Sequence, residues 1–503
     1  MQASQARLSE LGASEAIAAR QIFGIDVDSI ASERAAADGW LNLEKANFLN
    51  RDFFSVEPSD LPSMDAVVGN PPYIRYQSFN GSAVRARELS LAAGVKLSKL
   101  ASSWAPFLVH ATSFLAPGGR LAQVLPAELL HAQYARPVIE FLRRQFGEIT
   151  VVVFDERVFP GALEDVVLLF ADRLGTSGEG EFNVISCGTV ADLAAGLEAP
   201  NERFFSGKSV EDHCGLLGQL LPAESLALYR QLEDQAEVQR LGSIASVDIG
   251  IVTGANKFFL LAEREAEGMD ARLLQPGVGR AVNLAGARFA ATDHQDLLAS
   301  GQPALMFAAN HRLSKPVLRT AAAHISRGEA EGFHERYKCR IRDPWWELPL
   351  PSDGPPDLLL TYCSNEHPRI SLNEAGAIST NTLHGVRLSD PTLAPQLAAG
   401  FYNSLTLLSA EIVGRSYGGG VLKLEPTEAE ALLVPPLVPS AAASLPAVDE
   451  AIRSRDADLA LDLIDELTLV PLGLTRSEIG DLRRARQLLR ERRRRRGRPP
   501  VAR

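Results

Sequence analysis

Cysteine is scarce in this sequence. The four residues in 503, Cys187, Cys214, Cys339 and Cys363, lie far apart and form no CxxC pair. That spacing argues against a disulfide framework and against a cysteine-ligated metal, so no metal is expected and a reducing cytoplasm is the default compartment. Long hydrophobic runs are missing too. No stretch of about 18 uncharged apolar residues occurs, so no membrane span is expected. The amphipathic start, MQASQARLSELGASEAIAAR, carries Glu10 and Glu15, which argues against a signal peptide. No internal repeat is present.

Net positive charge is also lacking: the balance is −11, which at first argues against a nucleic-acid partner. Its distribution changes that view. From Arg483 onward there are eleven arginines against Glu491 alone, leaving 40 basic and 61 acidic residues in the remainder. An acidic protein can still hold DNA in a basic cleft, because counterion release depends on local phosphate contacts. The arginine run reads either as a nucleic-acid contact or as a solvated, disordered tail.

What the chain does contain is a strand–helix alternation over residues 1–175. Residues 22–28 (IFGIDVD), 65–70 (DAVVGN), 120–126, 149–155 and 164–173 read as strands. Residues 29–37, 104–115 and 138–145 read as helices, the second stopped by Pro117-Gly118-Gly119. This rhythm predicts a doubly wound, Rossmann-like α/β sheet with ligands at the strand C-termini. Residues 176–238 read as a linker or insertion and 239–438 as a mixed α+β domain. Residues 439–503 read as a helical extension that opens on an Ala/Ser/Pro hinge at 440–447.

The decisive segment is Asn70-Pro71-Pro72-Tyr73, directly after the strand DAVVG. With proline at about 5% of residues, such a match has a chance on the order of one in a thousand in a chain of this size. An amide side chain, a carbonyl on a loop stiffened by two prolines, and an aromatic ring suit an aromatic amine that must be held and made nucleophilic. The bare alternative is a proline turn.

In these residues the sequence resembles the N6-adenine DNA methyltransferases of restriction-modification systems, in the motif order that places the target-recognition domain last. The resemblance implies that Asn70 and the Pro71 carbonyl accept from the adenine amino group, on the loop that Pro72 stiffens, while Tyr73 stacks on the flipped base. Phe23-Gly24-Ile25-Asp26-Val27-Asp28 looks like the motif whose acid holds the ribose of S-adenosylmethionine, assigned to Asp26 with Asp28 as the alternative. Asn50-Arg51-Asp52-Phe53-Phe54 looks like the next motif. There Asp52 would accept from the cofactor's adenine and Phe53 would lie against it, unless Phe53 is plain core. Phe159, in Val158-Phe159-Pro160-Gly161, is expected on the other face of the target adenine or, failing that, in the core. Residues 248–260 and 415–426 resemble the recognition domain, with Lys257, Arg415 and Lys423 as candidate phosphate contacts or ordinary solvated side chains. Trp345-Trp346 is expected to pack.

One part of the pattern is missing. Family members carry a strand and a Gly-rich loop ahead of the acid here assigned to Asp26, whereas residues 1–21 read as one helix. The expectation is an upstream start, a separate chain carrying that segment, or a decayed remnant, in that order. The implied partner is double-stranded DNA. Competing readings are a methyltransferase acting on protein or RNA, a silent DNA-binding subunit, and a methylase–nuclease fragment. The two-hundred-residue second domain favours DNA.

Overall fold

The computed structural model describes residues 2–30, 47–74, 79, 81–98, 101–130, 135–155, 158, 166–198, 215–218, 220–417 and 419–496. The chain forms two compact units, Met1–Phe154 with Val166–Glu211 and Asp155–Asp165 with Asp212–Arg503.

In the first unit, β1 (Gly24–Asp26) and β2 (Phe48–Asn50) form a two-stranded parallel sheet. A second sheet contains β3 (Met64–Gly69), β4 (Leu115–Pro126), β5 (Phe146–Phe154), β6 (Val166–Leu174) and β7 (Glu181–Cys187), in the order β3-β4-β6-β5-β7. β3 runs parallel to β4, β6 is antiparallel to both β4 and β5, and β7 is parallel to β5. The apolar run of β5 buries Ile149 and residues 151–154, as a strand covered on both faces must. Helix α1 (Trp104–Thr112) is buried almost all round, and α2 (Arg136–Gln145) buries Val138, Phe141 and Leu142 on one face.

The expected helix over residues 1–21 is instead two, Gln2–Glu10 and Glu15–Gln21, broken at Gly12 with φ +94. Only glycine adopts that conformation without strain. The expected linker is also partly structured. β7 lies inside it and pairs along its whole length with β5, burying Phe182 on one face and Ile185 and Cys187 on the other. The helix Ala223–Glu233 buries Leu226, Tyr229 and Leu232 in the second unit. The expected helix over residues 29–37 falls mostly outside the described residues.

The second unit is built on a five-stranded sheet of β8 (Ala245–Ile249), β9 (Arg288–Phe289), β10 (Leu358–Thr361), β11 (Ile370–Asn373) and β12 (Leu383–Leu388), ordered β9-β11-β10-β12-β8. Its core is shared with α3 (Ser404–Val413), α4 (Pro439–Arg453) and α5 (Ala457–Thr468). The residues expected to hinge are the first half of α4. Ala441, Leu445, Val448 and Ile452 recur every three to four residues and bury one face.

Of the two readings of the arginine run, a nucleic-acid contact or a solvated tail, the structure does not bear out the second. As far as Arg496 it forms helix α6 (Arg476–Arg496), which buries Ile479, Leu482, Ala485 and Leu489. Arg493 is buried against Glu411, with Nη2 2.7 Å from Oε1 and Nε 3.0 Å from Oε2. Arg483 donates to Asp465 and Asp462 at 2.6 Å each. The positive segment is therefore docked on acidic side chains of the same unit, with Arg483 and Arg493 each at hydrogen-bond distance from a carboxylate. Among the described residues no helix is long and apolar enough to cross a membrane, and no cluster of three metal-binding side chains occurs. Cys339 and Cys363 are free thiols.

Candidate active site

Asn70 leaves the C-terminal end of β3, where the strand's last hydrogen-bonding residue, Gly69, runs beside Gln123 of β4. A Cβ at Gly69 would sit 2.8 Å from Gln123 Oε1, so the end of that side chain would have to shift to admit a larger residue. The Asn70 side chain is exposed, Pro71 is buried, and Tyr73 is half-buried. Tyr73 Oη lies 3.0 Å from Asn70 Oδ1 and 2.9 Å from the Val124 carbonyl. The loop is fastened to the start of α1 by buried Ser103. Its Oγ accepts from Ile74 N at 2.9 Å and donates to the Pro72 carbonyl, while Ser103 N donates to the Ile74 carbonyl at 3.0 Å. Sequence reasoning missed Ser103. A serine before an apolar helix reads as an N-cap, but its hydroxyl is spent on the proline loop rather than on its own helix.

The other expected site residues also follow strand C-termini. Asp26 ends β1 and is exposed. Its Oδ1 accepts from Asp28 N at 2.9 Å, and Asp28 Oδ1 accepts from Ile30 N at 2.9 Å. Asn50, which ends β2, ties the two strands by donating from Nδ2 to the Asp26 carbonyl at 3.1 Å. Asp52 caps the short turn Phe53–Ser55, with Oδ1 accepting from Phe54 N at 2.9 Å and Oδ2 accepting from Ser82. Phe53 is half-buried in an aromatic cluster. It stacks on Phe107 at 4.9 Å and 9° and meets His110 edge-on at 4.9 Å. Burial lowers the His110 pKa, so the ring is neutral at pH 7, with Nε2 3.0 Å from the Val56 carbonyl. Phe159 lies outside the described residues.

Residues 216–469 match the family model for the C-terminal domain of the type II methyltransferase M.Eco57I, and residues 41–159 match that of the Eco57I restriction-modification methylase. The chain belongs to this family of restriction-modification methylases. Curated relatives include the type II methyltransferase M.XamI of Xanthomonas campestris pv. amaranthicola, 28% identical over 85% of this chain and 78% of that protein. Another is M.AccI of Acinetobacter calcoaceticus, 23% identical over 77% of this chain and 71% of that protein. The fold is similar to that of the type IIL restriction-modification enzyme MmeI, solved in complex with DNA, with a TM-score of 0.50 at 12% identity over 88% of this chain. The methylase spans only 60% of the MmeI chain.

In the second unit of the methylase, the three expected phosphate contacts have different surroundings. Lys423 Nζ is 2.7 Å from Glu425 and lies over the rings of Tyr362 and Tyr417, 5.0 and 5.5 Å from their centroids. Arg415 is paired with the buried carboxylate of Glu428. Lys257 is 79% exposed, with Glu331 at 3.5 Å. Trp345 and Trp346 pack, as expected. Both are half-buried against the Phe258 cluster, and Trp345 Nε1 donates to Glu329 at 3.2 Å.

Proposed function

We propose that this chain is the base-binding and DNA-recognition part of a methyltransferase that moves a methyl group from S-adenosylmethionine to N6 of an adenine flipped out of duplex DNA, in a restriction-modification system. The observation that carries the reading is the Asn-Pro-Pro-Tyr loop, held at a strand C-terminus with the Asn70 amide exposed and the Tyr73 ring anchored beside it.

The chemistry follows from these atoms. An adenine amino group is a poor nucleophile, because its lone pair is delocalised into the ring. Two acceptors, Asn70 Oδ1 and the Pro71 carbonyl, draw its N–H groups out of the ring plane and stabilise positive charge as it forms on nitrogen. The Tyr73 ring supplies a stacking face, worth about 1–3 kcal/mol, which offsets part of the cost of flipping the base. Bound S-adenosylmethionine supplies the electrophilic methyl group. Its adenosine end fits the residues present. Asp26 offers an exposed carboxylate for ribose hydroxyls, Asp52 offers its remaining lone pairs to an adenine amino group, and Phe53 offers the face not taken by Phe107.

No segment among the described residues corresponds to the Gly-rich loop expected for the methionine end. Among those residues β3 pairs with β4 alone, and Val68 on it is 74% exposed, while Val27, just past β1, is 75% exposed. These open edges support a second part of the reading. A strand and Gly-rich loop from elsewhere, on a partner chain or a further segment, completes the sheet and the donor site. Without it the chain acts as a DNA-binding subunit. The working compartment would be the cytoplasm.

The test is incubation of the chain with radiolabelled S-adenosylmethionine and bacterial genomic duplex, with and without the supplied segment, followed by nucleoside mass spectrometry. N6-methyladenine formed only with the segment is the expected outcome. A methylated base of another kind would overturn the adenine assignment. Failure of the chain to bind duplex would overturn the DNA reading itself.

A further inference from the structure

Between Glu335 and Asp343 the chain reads Arg336-Tyr337-Lys338-Cys339-Arg340-Ile341-Arg342, with four cations and no acid in seven residues of a protein whose net charge is −11. These residues form the helical turn Tyr337–Arg340 and its C-cap, Ile341. Tyr337 and Ile341 sit four residues apart, hence on one face, and are 63% and 60% exposed. Single exposed apolar residues are ordinary, whereas a pair on one turn rimmed by cations marks a contact surface. Lys338 Nζ and Arg340 Cζ lie 5.6 and 5.7 Å from the Tyr337 ring centroid.

The turn is held firmly from behind. Cys339 is fully buried, and Arg342 donates to the Thr253 and Val252 carbonyls at 2.8 and 2.7 Å. Gly254, at φ +79, passes so close that a Cβ there would lie 2.6 Å from Lys338 Cβ. The same loop continues to Lys257.

We propose that this turn is a DNA-contacting wedge of the recognition domain. Tyr337 and Ile341 press against base or sugar faces in a groove, and Lys338, Arg340 and Arg336 neutralise flanking phosphates. The proposal rests on the reading of this protein as a DNA methyltransferase and names a contact surface for it. A rigid backbone that presents an aromatic ring and an aliphatic side chain is what unstacking or stacking on a base requires. The charge of the run suits a polyanion such as duplex DNA better than a neutral protein partner.

The test uses the full chain and a fluorescein-labelled random duplex of about 30 base pairs, with anisotropy followed across about 50–200 mM salt. Tyr337→Ala is expected to weaken binding about five-fold or more, and Tyr337→Phe to change it less than about two-fold. Arg340→Ala is expected to lower the slope of log affinity against log salt by about one. Arg476→Ala, which removes a 91% exposed charge elsewhere in the same unit, should leave that slope as it is. If the wild-type chain binds duplex and both Tyr337→Ala and Arg340→Ala bind identically, the wedge is refuted while the DNA reading stands. If Tyr337→Ala instead dissociates an oligomer, as seen by light scattering, with DNA affinity unchanged, the face joins copies of the chain and the proposal is overturned. If the wild type binds no duplex at all, the wedge and the reading beneath it fail together.

Discussion

Tyr73 Oη sits 3.0 Å from Asn70 Oδ1, and it also lies 2.9 Å from the Val124 carbonyl. One phenol proton cannot serve both acceptors fully, so the pair can exchange partners. When a base amino group takes Asn70 Oδ1, the phenol keeps Val124 and the ring stays in place. Asn70→Ala is therefore expected to cut methyl transfer by about a hundred-fold or more, the scale seen when one preorganised charge-stabilising group is lost. Because Asn70 is exposed, the unfolding midpoint should stay unchanged. Tyr73→Phe should lose less than Tyr73→Ala, since the stacking face survives. Single-turnover rates with the complete donor site decide this, and equal losses for Phe and Ala would show that stacking is not what Tyr73 contributes.

Asp26 and Asp52 should separate cleanly. The Asp26 carboxylate accepts a local turn bond on an exposed strand end, whereas that of Asp52 caps the turn of Phe53–Ser55 and also holds Ser82. Asp26→Ala is expected to weaken binding of S-adenosylmethionine with little change in stability. Asp52→Ala should weaken it and also cost about 1 kcal/mol of folding stability through the lost cap. Calorimetric titration alongside chemical denaturation checks both.

The Arg493–Glu411 pair is buried on both sides, with side chains only 4% and 3% exposed. Removing one partner leaves the other charge stranded, so Glu411→Ala is expected to cost about 3–5 kcal/mol. A double replacement by apolar residues should recover much of that loss. A midpoint for Glu411→Ala within error of the wild type in urea would show that the helix does not depend on the pair.

Acid should destabilise the second unit through its buried histidines. Burial, then the charges of Arg486, Arg369 and Arg490, hold His367 at about 3, against an ordinary 6.5. Burial lowers His324 and His384 as well. In each case the folded pKa lies below the unfolded one, so the unfolded chain takes up the proton first. The associated stability is complete above about pH 6.5 and is lost as pH falls toward the folded values. Denaturation midpoints should be level from about pH 7 to 8 and decline below 6.5, with a shallower decline in His367→Gln. The raised pKa values of Glu428 and Asp465, both caused chiefly by burial, act in the opposite sense, so the histidine contribution is read from the difference between the wild type and His367→Gln.

Local chemistry carried much of the catalytic half into the sequence. Short apolar runs located the strands around DAVVG and ITVVVFD within a few residues; the second is buried on both faces, as a continuous run suggests, whereas the first leaves Val68 exposed. The proline loop was legible because two fixed φ angles leave little choice of backbone. Ser103 and Ser82 were not legible, since their partners lie 31 and 30 residues away and no local pattern announces them.

The arginine run shows the opposite limit. Counted along the chain, eleven cations against one acid describe either a nucleic-acid contact or a solvated tail. Only the fold brings Glu411, Asp462 and Asp465 to them. The same holds for residues 440–447, whose small side chains read as a hinge until their helical face meets a core to bury against. By itself the sequence determined the Asn-Pro-Pro-Tyr loop, the strand order's raw material and the family, because those rest on short-range sterics and residue chemistry. Tertiary structure alone decided which charges are exposed, which serines hold the loop and which aromatic residues remain at the surface, because burial and pairing are properties of neighbours that the chain does not keep adjacent.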